Sequence, residues 1–386
     1  ISRTELAKNS INELRDHQEI IQEESHELPP SMINQKLNEV SNKILIEEQK
    51  HPEEFKETFS DDELKDVDNL ILNEEEVEKK HFCYLNRKLS HVGNLMAFDE
   101  TLKQIFQNNE NEAKQYLYEI RSVFLYLSVV YLKKESVQSA YFAYLLSKYK
   151  ICSHMSFDAM LDILKEYLKK ESLYCRQNAM KALYSFGDEE HVVEGIKVLE
   201  QSHIFFHSKI LSDGLLEFEA DHDKLIALLW QSFDKFFVET QVAILNYIRF
   251  RTGDYCENML EILKDKNRNQ ELHYAAIRYF GKHHYPPALP ILLEFASDTD
   301  SLHWNYAAFS ASALAIYPGE KTLEVLKKSL MSSNWYVRYN AAQSIDLLGT
   351  SYFDLMDIMN GDDRYAREMM NYRFDRRQFN EEEAEV

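Results

Sequence analysis

Small and apolar residues recur in this chain at the spacing of one helix face. In residues 333–349, SNWYVRYNAAQSIDLLG, they stand at i, i+3, i+4 and i+7 and a glycine closes the segment: Ala341, Ser344, Ile345, Leu348 and Gly349. Residues 172–187, SLYCRQNAMKALYSFG, carry the same pattern: Ala179, Ala182, Leu183, Phe186 and Gly187. This spacing predicts an amphipathic α-helix in each segment, and glycine suits the position that follows a helix.

The pattern occurs six times at steps of 30 to 34 residues. The first positions are Ala179, Leu211, Ala243, His273, Ala307 and Ala341. Phe250 fills the fourth position of the third unit. A second apolar stripe follows each unit, and the last of these stripes is Phe353, Met356 and Met359. One helix pair cannot bury its stripes alone, so the repeat predicts helix pairs stacked around a continuous core.

The segment from Val337 to Gly349, V-R-x-x-A-A-x-S-I-x-x-L-G, resembles the first helix of a HEAT repeat, particularly the short bacterial form of phycobilisome-lyase-like repeats. The resemblance covers about residues 171–361. It implies an all-α fold, a right-handed α-solenoid of HEAT-like (armadillo-like) helix pairs. Arg176 and Arg338 resemble the arginine of the family's inter-repeat ladder. Other residues replace it in the remaining units, so we do not expect a regular ladder: Ser208, Thr240, Gln270 and Trp304.

Four segments follow from the pattern. We predict an acidic helical arm or spacer over residues 1–80, degenerate helical repeats over 81–170, six repeats over 171–361, and a capping helix with a disordered acidic tail over 362–386. Within the second segment we expect one fully buried helix at 113–133 and a helix pair at 136–149 and 157–168. Only 9 Gly and 7 Pro in 386 residues also favour a helical chain.

The net charge of −21 bears on the partners. Residues 1–80 hold 10 Lys and Arg against 22 Asp and Glu. Such a surface repels phosphate backbones, so we expect no nucleic-acid partner and favour a basic protein surface. Seven basic residues gather between 249 and 282, interleaved with five acidic ones, and we expect a solvated face whose charges compensate one another: Arg249, Arg251, Lys264, Lys266, Arg268, Arg278 and Lys282.

The cysteines and the hydropathy bear on location. The four cysteines are scattered and form no C-x-x-C pair, which favours a reducing, cytoplasmic environment: Cys83, Cys152, Cys175 and Cys256. No run of eighteen apolar residues occurs. The chain begins at Ile1 rather than Met, so we also consider an upstream anchor that associates it indirectly with a membrane.

Aromatic residues stand at the starts of several first helices. The candidates for partner binding are Trp304, Trp335, Tyr336 and Tyr339, together with Arg338 and Arg176. Two interpretations remain open. The rings could form an exposed ridge that contacts a partner, or they could pack between repeats, as Phe205, Phe206, Phe236, Phe237 and Tyr306 would also do. The histidines His273, His283, His284 and His303 fit burial or turns better than a metal site.

Sequence motifs of catalysis are absent: the chain has no G-x-G-x-x-G, G-x-x-x-x-G-K-[ST], G-x-S-x-G or H-E-x-x-H. We therefore predict a non-catalytic scaffold for protein–protein interaction that uses no metal or cofactor. The alternative is an enzyme on the same scaffold, lyase-like or DNA-glycosylase-like, which requires a cleft lined by convergent polar groups. A third hypothesis is a structural protein that self-assembles through residues 1–80.

Overall fold

A computed structural model describes residues 79–151, 159–204 and 206–384. The helical arm predicted for residues 1–80 lies almost entirely outside the described residues, as do Cys152 and Phe205. The described residues form nineteen α-helices and four short 3-10 helices, with no β-strand among them. The chain divides into two compact units between Gln138 and Ser139.

The first unit contains four described helices, α1 to α4: Lys79–Lys88, Val92–Asn108, Glu110–Glu119 and Arg121–Leu132. The prediction of a single fully buried helix at 113–133 is wrong. The chain breaks at Ile120, where the backbone leaves the helical range, and two helices result. Tyr126 and Val129 on α4 are exposed, so one side of this apolar segment faces solvent.

The boundary lies in the first turn of α5, Ser136–Tyr149, and the second unit continues with α6 to α8, which are Ala159–Tyr167, Leu173–Phe186 and Glu189–Gln201. Helices α9 to α12 are Ser208–Leu216, His222–Gln231, Val238–Arg251 and Cys256–Lys264. Helices α13 to α16 are Gln270–Phe280, Leu289–Ala296, Trp304–Ala313 and Glu320–Leu330. The last three, α17 to α19, are Trp335–Leu347, Met356–Met359 and Arg364–Ala384.

The unit is an α-solenoid in which first and second helices alternate. Each of the six predicted first positions lies on a first helix, and all six side chains are buried. The first helices α9, α11, α13, α15 and α17 pack successively against one another, and α17 packs against α19. Small residues permit this close approach, as where Ala307 and Ala308 of α15 form one buried cluster with Val337 of α17. The sequence periodicity therefore gives the correct helix order and core face.

Three predicted core positions are exposed. Phe250, at the end of α11, keeps 48% of its surface exposed. In the last unit Phe353 is 81% exposed and Met356 45%, whereas Leu355 and Ile358 are buried instead. The last stripe fails because a 3-10 helix at Phe353–Leu355 precedes the four-residue α18, and its tighter winding shifts the side that faces the core.

The carboxyl-terminal helix is longer than predicted. We expected a capping helix followed by a disordered acidic tail, but α19 continues to Ala384. Helix α19 packs against both α17 and α18. Ala366 and Met370, one helical turn apart, are buried on its inner side. The helix thus covers the apolar side of the last repeat, as a capping element should.

The two similar segments of the sequence have the same structural role. Arg176 donates from Nη1 to the carbonyl of Lys170, and Arg338 donates from Nε to the carbonyl of Ser332. Each arginine thus binds the backbone just before its own helix. Asn178 donates to Ala140 of α5 at 2.9 Å, and Asn340 donates to Ala308 of α15 at 2.8 Å. The shared Arg-x-Asn-Ala segment therefore joins a first helix to the repeat before it.

Other repeats make this junction with different residues. Glu200 of α8 is buried and accepts from the Phe237 backbone at 2.8 Å and from Thr240 Oγ1 at 2.5 Å. His273 of α13 lies 3.0 Å from the Asp265 carbonyl through Nε2 and 2.8 Å from the Tyr306 hydroxyl through Nδ1. A regular arginine ladder is absent from the described repeats, as the sequence indicated, but polar junctions are present.

Tyrosine hydroxyls form a further set of links between repeats. The Tyr247 hydroxyl lies 2.6 Å from His222 Nδ1 at the start of α10. Tyr279 accepts from the Tyr255 backbone N–H at 3.1 Å, just before α12. Tyr317 accepts from the Tyr285 backbone N–H at 3.1 Å. In each case a buried tyrosine from one repeat satisfies a polar group at the start of the preceding repeat's second helix.

Loss of the Asn340 junction should have a measurable cost. We expect Asn340→Ala to lower the free energy of unfolding by about 1 kcal/mol, since a hydrogen bond between neighbouring helices is lost. Urea denaturation followed by circular dichroism measures the change. Gln343→Ala, at an exposed position of the same helix, is the matched control and should leave the midpoint unchanged. Equal midpoints for both variants would contradict a stabilising role of this junction.

Candidate interaction surface

Exposed aromatic rings gather where helix α17 begins. The Asn334 side chain accepts from the Tyr336 and Val337 backbone N–H groups, which fixes the start of α17 at Trp335. Trp335 and Tyr336 occupy the first turn, and Tyr339 follows one turn after Trp335. The cap therefore determines where these rings leave the helix.

The rings contact one another in a continuous series. Trp304 of α15 stacks on Tyr336, with centroids 5.5 Å apart and planes at 23°. Trp335 meets Tyr336 edge to face at 5.2 Å and stacks on Tyr339 at 5.0 Å. Offset stacking and edge-to-face contacts are the favourable aromatic geometries. We call these four residues the aromatic patch.

The aromatic patch is exposed but rests on a buried base. Trp335 and Tyr336 keep 57% and 56% of their surface exposed, and Tyr339 keeps 36%. Trp304 is half-buried and packs against the core cluster of Ala307, Ala308 and Val337. The outer rings are thus held by their neighbours while their outer sides remain free for contact.

Arg338 links the aromatic patch to the last helix. Its Nη1 donates to Asp363 Oδ1 at 2.9 Å, and its guanidinium lies over the Tyr365 ring at 5.5 Å. The hydrogen bond from Arg338 is the main reason that the pKa of Asp363 is lowered. Asp363 also accepts from the Ala366 backbone at the start of α19. Arg338 therefore orders the surroundings of the patch and is itself largely occupied within the chain.

Arg176 lies away from the aromatic patch. It is buried, its guanidinium donates to the Lys170 carbonyl at 2.7 Å, and burial lowers its pKa. We therefore assign it to the repeat junction described above and leave it out of the candidate surface. The structure brings together the other five candidates: Trp304, Trp335, Tyr336, Arg338 and Tyr339.

The other aromatic residues divide between the two interpretations. Phe206 and Phe236 are buried, as packing between repeats requires, whereas Phe237 is 42% exposed. Tyr306 packs against Tyr274 and Phe295, with ring centroids 4.9 Å away in each case. Packing therefore accounts for three of these four described residues, Phe206, Phe236 and Tyr306. An exposed ridge describes the rings at the start of α17.

Two residues of this surface were missed in the sequence analysis. Tyr365 is 67% exposed beside Arg338, and the buried Arg373 lies 4.9 Å from the centroid of the Tyr339 ring. Both belong to α19, for which the sequence predicts only a capping role. The sequence does contain a signal for Tyr365. Arg338 resembles the ladder arginine, which needs a carboxylate from the next helix. Asp363 can supply that carboxylate, and Tyr365 stands two positions after it.

The candidate histidines have separate hydrogen-bond partners. His283 Nε2 lies 2.7 Å from the Arg249 carbonyl, and His303 Nδ1 lies 3.1 Å from Asp298. His273 is buried, as expected, and the His284 ring is tilted against the Tyr317 ring, with centroids 4.7 Å apart. Across the ranges described, no group of three His, Cys, Asp or Glu side chains could hold a metal ion.

Two further observations concern the enzyme alternative and the membrane. A groove between α6 and α8 is lined by charged side chains that pair with one another: Lys165 Nζ lies 2.6 Å from Glu194 and 2.7 Å from Asp162. Lys165 thus pairs with two carboxylates, which leaves these three groups with a net negative charge. No helix in the described part of the chain is both long and apolar enough to cross a bilayer.

The fold and surface define the class of protein: an α-helical repeat array with an exposed aromatic patch. Residues 242–351 match the family model described as HEAT repeats. The matched segment runs from α11 to the end of α17 and includes all four residues of the aromatic patch. This part of the chain is therefore similar to HEAT repeats. No curated protein matches the sequence at a significant level.

Proposed function

We propose that this protein is a non-catalytic HEAT-repeat scaffold that binds a protein partner through the aromatic patch. The observation that carries the proposal is the pair of exposed rings, Trp335 and Tyr336, held in place by stacking on Trp304 and Tyr339. Tryptophan and tyrosine dominate the energetic centres of protein interfaces. Rings that are already ordered lose little conformational entropy when a partner covers them.

Large apolar side chains are exposed mainly around this part of the chain. Of the sixteen exposed large hydrophobic residues among the described ones, eleven lie between Leu302 and Tyr372. Single exposed apolar residues are ordinary, whereas a concentration of them marks an interaction surface. The net charge of −21 favours a partner that is basic around its own apolar contact, because opposite charges speed the encounter.

The test is a double substitution. Affinity capture from native lysate identifies the partner, and biosensor measurements with the purified partner then compare wild type with Trp335→Ala/Tyr336→Ala. We expect binding to weaken at least thirtyfold, since a loss of about 2 kcal/mol or more is typical where such rings form the centre of an interface. Helicity should be unchanged, because both rings lie outside the core.

Tyr126→Ala provides the matched control. Tyr126 is 52% exposed and belongs to α4 in the first unit. Its loss should leave the affinity unchanged. If the double variant binds the purified partner as tightly as wild type does, the aromatic patch is not the binding surface.

A further inference from the structure

A second surface lies at the ends of α11 and α13, where Arg249 and Lys282 flank the exposed Phe250 and Arg278 lies near enough to Arg249 to act on it electrostatically. Arg249 lies 4.5 Å from the Phe250 ring centroid, and Lys282 Nζ lies 4.6 Å from it. Arg278 lies over the neighbouring Phe309 ring at 5.2 Å. Phe250 itself is 48% exposed. We call Arg249, Phe250, Arg278 and Lys282 the basic cluster.

The arginines of the basic cluster are close enough to repel each other. Burial lowers the pKa of Arg249, and the Arg278 guanidinium lowers it further. Burial also lowers the pKa of Arg278, against a smaller opposing effect of Glu271. Like charges in a partly desolvated place are unfavourable unless an anion compensates them.

No carboxylate in the described part of the chain forms an ion pair with the cluster's three basic residues. The acidic residues interleaved with these basic residues in the sequence predicted that their charges would compensate one another. Among the residues that the structure describes, the acidic side chains form no ion pair with Arg249, Arg278 or Lys282. The charge of Arg268 is compensated, because its guanidinium lies 2.5 Å from Asp234 and 3.6 Å from Asp265. The prediction of a self-compensating face is therefore correct for Arg268 and wrong for Arg249, Arg278 and Lys282.

Arg278 also has unused hydrogen-bonding capacity. Its Nε is buried and has no hydrogen-bond partner among the described residues. Buried polar groups are normally hydrogen-bonded, and an arginine fork is shaped to bind the oxygens of a phosphate or carboxylate. Lys282 Nζ lies 3.5 Å from the Phe250 carbonyl, and no carboxylate of the described chain pairs with the cluster, which therefore offers cationic donors and an apolar ring to an external anion.

We propose that the basic cluster binds the phosphorylated side chain of a partner peptide, with Phe250 contacting an apolar residue beside it. A phosphate group places up to two negative charges and three acceptor oxygens at one point, which suits several converging donors. This site is separate from the aromatic patch and its test does not depend on that patch.

The charge of the protein favours this ligand over longer polyanions. A nucleic acid or a peptide with many carboxylates would meet the repulsion of a chain with net charge −21 along its length. A single phosphorylated residue concentrates its charge at the cluster and exposes the rest of the ligand to little repulsion. An anionic bilayer would meet the same repulsion over a wide area.

The probe is a short fluorescent alanine–glycine peptide with one phosphoserine and an adjacent phenylalanine. Fluorescence anisotropy measures its affinity for wild type and for Arg249→Gln and Arg278→Gln. We expect each substitution to weaken binding about tenfold, as loss of a charged hydrogen-bonding partner does. Arg268→Gln is the matched control, because Arg268 is already paired with Asp234, and its affinity should equal that of wild type.

Two further arms make the result decisive. Arg278→Lys keeps the positive charge but loses the fork, so it should bind more weakly than wild type and more tightly than Arg278→Gln. Circular dichroism confirms that each variant is folded. Equal binding by the wild type and both glutamine variants overturns the proposal, and so does equal affinity for a peptide with glutamate in place of phosphoserine. Lack of peptide binding at millimolar concentration, or binding only to phosphatidylserine vesicles, also overturns it.

Discussion

Replacement of Tyr317 by alanine should lower the free energy of unfolding by about 4 kcal/mol. Truncation of a buried aromatic side chain removes its transfer free energy and leaves a cavity, which together cost about 3 to 5 kcal/mol. Tyr317 is 1% exposed, and its ring lies 4.7 Å from the His284 ring. Its hydroxyl accepts from the Tyr285 backbone and donates to the Phe280 carbonyl. The alanine variant therefore loses both packing and a polar link between repeats.

Tyr317→Phe separates these two contributions. It keeps the ring and removes only the hydroxyl, so we expect a smaller loss of about 1 to 2 kcal/mol. Urea denaturation followed by circular dichroism gives both values. Tyr372→Phe, at a residue that is 59% exposed, is the surface control and should match wild type. A Tyr317→Phe variant as unstable as Tyr317→Ala would show that packing of the ring contributes nothing.

Alkaline pH should destabilise the protein strongly. Burial raises the pKa of Tyr317 to about 12 from its ordinary value of 10.0. Burial is also the main reason that the pKa values of Tyr184, Tyr247 and Tyr279 are raised. The folded state therefore holds these protons more tightly than the unfolded state does. Their contribution to stability is complete below pH 10 and decreases as the pH rises from about 10 towards 12.

The measurement is the urea midpoint at pH 8, 10 and 11. We expect a small change between the first two values and a steep fall at the third, accompanied by tyrosinate absorbance that rises together with loss of helicity. Tyr317→Phe should reduce the fall, because one of the responsible protons is removed, while Tyr372→Phe should not. A midpoint independent of pH up to 11 would contradict the role assigned to the buried tyrosines.

Much of the fold could be predicted because the repeat imposes one period on local and tertiary structure. Ala179 and Ala341 are buried at equivalent positions of α7 and α17, since one apolar stripe defines both the helix face and the repeat interface. The pattern failed where backbone geometry changes locally. At Ile120 the predicted helix breaks between Glu119 and Arg121, and at Phe353 a 3-10 turn alters which side chains face inward.

The candidate surface could be predicted only in part. Aromatic residues before the core positions identified Trp335 and Tyr336, but the sequence could not show whether they are exposed, because both packing and binding use the same residue types. The basic cluster was unpredictable for another reason. Arg249 and Arg278 are 29 positions apart, and only the stacking of α11 on α13 brings their charges together.

The polar junctions also restrict how this array could have grown. Arg338 with Asn340 forms one junction, Thr240 with Glu200 another, and His273 with Tyr306 a third. In an array of identical units, a copied repeat finds the same neighbour on either side. Here a duplicated or exchanged unit would meet the wrong donor or acceptor and leave polar groups unsatisfied in the interior. Gain or loss of a single repeat should therefore require compensating changes in the repeats beside it.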